Sequence, residues 1–429
     1  MSGTTAVVGG GVTGLVLALR LCQRGHRVTL FDAQPEPGGL SIAARFPDFT
    51  WDRFYHVIAG GDQALLALLD ELGLGGEVRW QRATQGVYLD GAVHPLVGPL
   101  DLLRLPRLSL LDKLRLGWFA LNGHRARPDR ELDHSTSADW ARARCGEHAF
   151  DTLWRPLLRS KLGDAAPQIA ARFLHATFRR LRQARGKGHR EQFGYVRGGY
   201  RRVLDTLVGT LHSHGVRLRS GARVTAVQAA GRGATVQAAG SSETFDRVIV
   251  TLPNPQLVDV VKDLDTADRE RLRATPYLGV ACTVAVGRTP LSGHYILNLC
   301  DDGLAITGVI EMTAVVDRQH TGGRTLVYLP RYATADSEVF AAGDDVLADR
   351  ALADLNRVLP ETRSGWLLHR TVHRARLVQP LQFAGAEPHA PPREVVPGRV
   401  YCVSNACLPP GTLNNNDCIA LATAAAEAL

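Results

Sequence analysis

In residues 5–39 a short apolar strand, Ala6–Val8, runs straight into Gly9-Gly10-Gly11-Val12-Thr13-Gly14. An apolar helical run then carries the chain to a second strand, Val28–Phe31, which ends in an acid, Asp32. This order restricts the fold sharply. Two parallel strands need a crossover, and the crossover here has the length and pattern of a helix. The glycine spacing adds chemistry. Gly9 suits the tight turn, Gly11 lets the backbone approach a pyrophosphate, and Gly14 lets the helix lie close on the sheet. Val12 and Thr13 open the helix, whose free N–H groups would face the phosphates, and Asp32 is placed to accept ribose hydroxyls. A glycine-rich turn is weak evidence by itself; the strands, the helix and the acid make it a dinucleotide site. The expected fold class is α/β with a Rossmann-like domain.

A second stretch of bare backbone, Gly38-Gly39, follows Asp32 and leads into Leu40. Alone, Pro35–Gly39 reads equally well as a surface turn. Joined to the motif before it, the pattern resembles the FAD site of the amine oxidase, protoporphyrinogen oxidase and phytoene desaturase superfamily. The resemblance implies FAD as cofactor, with its ADP half on the first βαβ unit and its phosphates and ribityl chain along the Gly38-Gly39 segment.

Two more segments carry the same likeness. Residues 216–253 read as short strands separated by glycine turns and closing on Leu252-Pro253. In the family, a valine at the position of Val224 touches the adenine through its backbone. At the other end, Gly398–Ser404 reads as a last strand and Cys418–Leu429 as an alanine-rich helix, with Asn405–Asp417 between them. In relatives this junction lies under the flavin, which implicates Asn405, Asp417 and Cys418. A helix N-terminus there would stabilise the negative charge of a reduced flavin. The chain also departs from the family: Leu40-Ser41 stand where relatives commonly have an arginine, Ser404-Asn405 replaces Gly-Asp, and Asp32 replaces the usual Glu. The segments Trp51–Ile58 and Gly308–Glu311 resemble the protoporphyrinogen-oxidase-like branch.

With 429 residues the chain has room for two cored domains. The layout expected is an FAD-binding domain in three parts (1–60, 195–255 and 393–429), a mostly helical lobe (61–194) and a substrate-binding sheet domain (256–392). Helical spacing is seen at 62–76, 138–162 and 165–185, and at Ser109–Leu121, where Ser109 and Asp112 form a capping box. Strand-like alternation covers Val280–Val286, His294–Leu299, Leu304–Ile310 and Thr325–Tyr328, and Asp344–Leu359 reads as a helix. Seven cysteines without a CxxC pair read as reduced thiols, and strand one begins without a basic leader, so a cytoplasmic location is expected. Cys407 and Cys418 flank the presumed flavin edge, where some relatives carry a covalent cysteine link; buried filling is the simpler reading. No metal site is expected.

The net charge is +8, and only four of the 50 basic residues are lysine. From Ala165 to Arg190 there is no acid, but there are six arginines and Lys187. This run suits either an anionic substrate or a solvated helix face; nucleic acid is not expected, because no aromatic interleaving accompanies it. No apolar run is long enough to span a membrane. The Leu100–Leu121 stretch, basic and leucine-rich, suits either peripheral contact with a membrane or, more simply, a helix packed on its own lobe.

Three residues are candidates for catalysis. His56 closes the segment that, in the family, runs toward the active site, and it is a base titrating near neutrality. Lys161 can hold a substrate oxyanion or a water, and reads more simply as a surface lysine. Glu311 can face the flavin and take an amine or hydroxyl, or pair with an arginine. Tyr328, Arg331 and Tyr332 are weaker candidates from the same sheet. The activity the resemblance implies is hydride transfer from a CH–NH, CH–OH or CH–CH group of a small polar substrate to flavin N5. Two alternatives stand beside it: a non-redox flavoenzyme similar to UDP-galactopyranose mutases, and a non-catalytic carrier similar to GDP-dissociation inhibitors. Substrate, electron acceptor and oligomeric state are left open.

Overall fold

A computed structural model describes residues 3–126, 130–184, 192–411 and 413–429. Arg185, Lys187 and Arg190 of the basic run, with the Gly186-Lys187-Gly188 segment, lie outside the described residues.

The first strand, Thr4–Val8, lies inside a six-stranded sheet, between Arg27–Phe31 on one side and Arg247–Val250 on the other. Arg217–Arg219 extends the sheet beyond Arg27–Phe31, and Val400–Cys402 extends it beyond Arg247–Val250. These five strands are parallel, and Glu394–Val396 closes the edge antiparallel. One sheet thus gathers strands from three separate stretches of chain. Parallel strands of this kind bury both faces. The helix Val12–Gln23 covers one face, joined there by Asn415–Glu427 and Gly199–Ser213. The other face is covered by the antiparallel strands Val224–Ala230, Gly233–Ala238 and Ser241–Phe245 and by Asn254–Val260.

A seven-stranded sheet forms the second layer system. Its spatial order is Leu367–Pro380, Tyr277–Gly287, Thr325–Thr334, Gly308–Glu311, Ile296–Leu299, Gln85–Leu89 and Ala92–Pro95. Every residue of Tyr277–Gly287 is buried, which its near-continuous apolar run requires. The helix Asp344–Val358 packs on one face. Residues 85–95, from the stretch expected to be mostly helical, contribute two strands at this sheet's edge. Their apolar residues are too few to show a period before the sheet supplies the partner.

The remaining lobe is helical. Leu110–Asn122 begins at the Ser109–Asp112 capping box. The helical spacing at 138–162 resolves into Ser137–Cys145, a short turn, a π-helical turn at Phe150–Trp154 and Arg155–Leu162. Gly146, at φ +85°, ends the first of these, and Pro156 sits in the first turn of the last, where its missing N–H costs nothing. Ala171–Ala184 completes the lobe. Among the described residues, no helix is long and apolar enough to cross a membrane.

Candidate cofactor and substrate site

The carboxyl ends of the parallel strands meet where the chain first turns. Gly9 has a φ of +113°, which an L side chain rarely adopts. A Cβ on Gly14 would stand 1.9 Å from the Gly9 carbonyl oxygen, so only glycine lets the helix begin this close to the turn. Gly38 and Gly39 come back over the same turn. The Gly38 N–H donates to the Gly10 carbonyl at 2.7 Å, and a Cβ on Gly39 would lie 3.0 Å from the Gly11 Cα. These six glycines therefore form one cradle in which backbone packs directly on backbone. Asp32 sits at its side, fixed by the N–H groups of Gly10 and Gln34, each 2.6 Å from a carboxylate oxygen. A carboxylate has about four acceptor positions, so Asp32 keeps capacity for two hydroxyls. Val12 and Thr13 start the helix below the cradle, and Leu40 lies half-buried in the short turn after Gly39.

The C-terminal segment closes the cradle. Its helix starts at Asn415, three residues before the expected Cys418, and Asn414 caps it by accepting the Asp417 N–H at 2.9 Å. The Asn415 side-chain amide meets the Ser41 hydroxyl at 3.1 Å and also bonds Tyr200. Asn416 reaches across and accepts the N–H groups of Ala64 and Leu65, capping the helix Gln63–Glu71. The three asparagines therefore join the last helix to the glycine turn and to the lobe. Residue type hints at the cap, but Asn415 and Asn416 act on partners in distant segments, Ser41, Tyr200, Ala64 and Leu65, which no local signal reveals. The Asp417 carboxylate is occupied by the side chains of Asn414 and Asn416. Cys418 is buried beside Thr13, and burial pushes its thiol up to about 11. Asn405 donates its amide N–H to the Val378 carbonyl at 2.8 Å, while its Oδ1 is buried without a partner. Val224 begins a strand whose apolar side chains pack behind the parallel sheet.

Next to this cradle the segment Asp52–Ile58 brings its aromatic residues against the seven-stranded sheet. The Tyr55 and Tyr332 hydroxyls lie 2.7 Å apart, and the Tyr328 hydroxyl donates to the Asp52 carbonyl at 2.5 Å. Tyr55 and Tyr328 meet edge-to-face at 5.9 Å, and Phe193 with Tyr295 add a further aromatic pair. Burial raises all four tyrosines, so they stay neutral phenols. Arg331, between Tyr328 and Tyr332 in the strand's alternation, instead donates to the Ala305 carbonyl.

The three catalytic candidates separate. His56 belongs to this aromatic region, its ring 4.9 Å from that of Tyr200 and its Nδ1 3.8 Å from the Asp52 carboxylate. Burial lowers its pKa to about 4, so it is a neutral imidazole at physiological pH, not a base titrating near neutrality. Asp52, which sequence reasoning passed over, is 2% exposed; its Oδ1 accepts the Tyr200 N–H at 2.8 Å, and burial raises its pKa to about 7. Lys161, near the end of Arg155–Leu162, is half-buried with no acceptor among the described residues. Burial and the neighbouring Arg180 guanidinium lower its pKa. Glu311 does something else. Its carboxylate is 2% exposed and accepts the N–H groups of Leu291 and Gly293 at 2.9 and 3.0 Å, with the Ser292 hydroxyl at 3.4 Å. The expectation that it faces a flavin or pairs with an arginine is corrected: its acceptor positions hold the 291–293 turn.

A cavity of about 170 Å³ opens beside the start of the last helix, lined by Ala59, Asp62, Arg179, Arg180, Asn416 and Asp417. Arg180 pairs with Asp62 at 3.6 Å. Two arginines of the acid-free run thus converge here with Lys161 behind them. The cradle fits FAD on the observations above: glycines where any Cβ would close it, a fixed acid for the ribose and an orphaned amide oxygen at the last junction. Among the described residues, no cluster of side chains fits a metal ion.

The parallel sheet with its glycine cradle, beside a mixed seven-stranded sheet, defines a dinucleotide-binding α/β fold. Residues 12–428 match the family model of flavin-containing amine oxidoreductases, and the chain belongs to that family, whose cofactor is FAD. A protein of Mycobacterium tuberculosis described as a flavin-containing monoamine oxidase, AofH, is 26% identical over 272 residues, 60% of this chain; the chain spans 58% of that relative's length. The crystal structure of a protein from Exiguobacterium sp. 255-15 described as a protoporphyrinogen oxidase is similar with a TM-score of 0.78 at 19% identity, covering 100% of this chain and 98% of that one. A reduced UDP-galactopyranose mutase is similar in fold with a TM-score of 0.78 at 17% identity, covering 99% and 95%.

Proposed function

We propose that the protein is an FAD-dependent oxidoreductase that removes two hydrogens from a CH–NH, CH–OH or CH–CH group of a small polar substrate carrying an anionic group. The observation that carries this is the glycine cradle with Asp32, closed by the C-terminal helix and bordered by a region whose tyrosines and His56 are held neutral. Bound flavin supplies a hydride acceptor at N5. The chain's own part is to bind, orient and exclude water. Tyr55 and Tyr332 offer aromatic faces and neutral hydroxyls to position the substrate, and neutral His56 can accept a hydrogen bond from the substrate's N–H or O–H. Lys161 and Arg180 supply the charge that would draw and hold a carboxylate or phosphate.

A second reading, non-redox action on a nucleotide sugar, is favoured by the same three cations, Lys161, Arg179 and Arg180, because a diphosphate would suit them. A carrier that does without flavin would leave the cradle and Asp32 without a role. The absorption spectrum of the purified protein, recorded before and after anaerobic dithionite and then air, tests the proposal. Oxidised-flavin bands that bleach and return, with FAD released on denaturation, are expected; a colourless protein that takes up no added FAD would overturn both enzyme readings. Turnover that needs reduced flavin and consumes no acceptor would favour the mutase reading. For the anion site, titrating pyrophosphate into the holoprotein is expected to perturb the flavin spectrum. Lys161→Met with Arg180→Ala should weaken that response at least tenfold, on the order of one charge-assisted contact each.

A further inference from the structure

Four arginines have a guanidinium Nε that is buried without a hydrogen-bond partner among the described residues: Arg53, Arg318, Arg324 and Arg374. Three of them are held through their other nitrogens. Arg318 donates to the Arg288 carbonyl at 2.9 Å, Arg324 pairs with Asp48 at 3.8 Å, and Arg374 donates to the Ala342 carbonyl at 2.6 Å. Arg53 has no such hold. Its backbone N–H donates to the Ile42 carbonyl, just after the glycine cradle, and its half-buried side chain meets no acid among the described residues. A guanidinium drawn partly out of water is costly unless something supplies acceptors for it.

A second donor without a partner stands beside it. His373 lies in Leu367–Pro380, the edge strand of the seven-stranded sheet, and its Nε2 is also buried and unbonded. Its ring meets that of Phe54, the neighbour of Arg53, edge-on at 6.4 Å. Burial and the Arg53 charge lower its pKa to about 4, so the imidazole is neutral and carries one N–H. The register fixes the face that the pair addresses. His373 is opposite Cys282, and Cys282 is opposite Pro330, midway between Tyr328 and Tyr332. Residues paired across a sheet share a face, as do alternate residues of one strand. His373 therefore stands on the face that carries Tyr328 and Tyr332 and packs against Phe54 and Tyr55. The acids at hand are engaged: Asp52, next to Arg53, accepts the Tyr200 N–H, and Asp344, whose charge reaches His373, is bound by Arg374. A guanidinium fork with one imidazole N–H beside it suits a carboxylate, which is planar and offers two acceptor oxygens. An ammonium group would meet only repulsion from Arg53.

We propose that Arg53 and His373 form a carboxylate subsite at the Leu367–Pro380 edge of the tyrosine region, so that the substrate is an organic acid. This rests on the oxidoreductase reading for calling the bound acid a substrate. The subsite is distinct from Arg179 and Arg180, which line the cavity beside the last helix. The test is calorimetric titration of benzoate into the flavin-loaded protein at fixed ionic strength. Benzoate should bind, and butane-1,4-diamine should not displace it. Arg53→Met, which keeps the apolar stem, should weaken binding at least tenfold, and His373→Phe, which keeps a ring against Phe54, about tenfold. Both variants should retain the wild-type flavin content, which separates a lost contact from misfolding. Lys161→Met with Arg180→Ala should leave benzoate affinity within about twofold, because distant sites act independently. Absence of benzoate binding, or equal binding by Arg53→Met, would overturn the proposal. Loss in Lys161→Met/Arg180→Ala alone would overturn it too, and would place the acid beside the last helix. Binding is read as heat and the cofactor by absorption. A protein that binds benzoate through Arg53 yet takes up no FAD would therefore sink the oxidoreductase reading and keep the carboxylate subsite.

Discussion

Gly14→Ala is expected to yield a protein that no longer retains FAD. The added Cβ would stand 1.9 Å from the Gly9 carbonyl oxygen, a backbone atom in the turn that the cofactor must approach. Thr251 holds that turn from the other side, its hydroxyl donating to the Val8 and Gly9 carbonyls. Neither the turn nor the helix can move without the other. Overpacking in a core costs about 1–3 kcal/mol when side chains can adjust, and here the obstacle is backbone, so the cost falls at or above the top of that range. The readout is the flavin content after gel filtration, with circular dichroism to report folding. Gly209→Ala is the control. Gly209 lies in the helix Gly199–Ser213 with nothing within 4 Å of an added Cβ, and alanine there should stabilise by about 0.5–1 kcal/mol and leave the flavin bound. Full FAD retention by Gly14→Ala would disprove the close packing of helix and turn.

Asp52→Asn is expected to stabilise the protein above neutral pH and to have little effect in acid. The Asp52 carboxyl is buried, and its folded-state pKa of about 7 lies above the ordinary 3.8. A raised carboxyl favours the protonated form in the folded state. Its contribution is therefore fully present below pH 3.8, declines as pH rises, and is lost above about pH 7, where the buried carboxylate is ionised. Asparagine keeps an oxygen for the Tyr200 N–H and never ionises. The difference between variant and wild type should grow from near zero at pH 4 toward a ceiling of roughly 4 kcal/mol at pH 8, from 1.36 kcal/mol per unit. His56 works in the opposite sense. Its depressed pKa makes its contribution present above pH 6.5 and lost as pH falls toward 4, but it is common to both proteins and largely cancels in the difference. Denaturant midpoints measured from pH 4 to 8 give the curve. A flat difference would mean that the Asp52 carboxyl is not desolvated in the folded protein.

The cofactor cradle was legible because its requirements are local. The βαβ unit, Gly9, Gly11, Gly14 and Asp32 lie within 28 residues, and each is read from the conformation or approach it permits. Gly38 and Gly39 sit a few positions further on, and the two glycine segments meet through a single hydrogen bond. Two long strands of the seven-stranded sheet were legible too, because their apolar β-branched runs suit burial on both faces: Thr325–Thr334 and the buried Tyr277–Gly287 overlap the segments read as strands. Boundaries moved by a few residues where caps decided them, as at Asn414 and Asn415.

Residue chemistry at the site was another matter. Glu311 and Asp52 are both acids beside strands, and nothing nearby in the sequence says that one would meet the amides of 291–293 and the other Tyr200 and His56. Tyr200 lies 148 residues from Asp52 and the 291–293 turn 18 to 20 residues before Glu311, and a carboxylate's role depends on which donors fill its acceptor positions. The same holds for Leu110–Asn122. Its leucines and tryptophan have helical spacing all round, so the sequence establishes a helix with too many apolar residues for one face. Only the packing of the lobe decides which of them are covered, because burial is settled by neighbours and not by the side chain itself. The sequence alone therefore determined the dinucleotide fold, set by glycine geometry and strand order over short distances, and its resemblance to a known family implied the cofactor. The tertiary structure decided which charged and apolar groups are satisfied within the protein and which are left to meet something else.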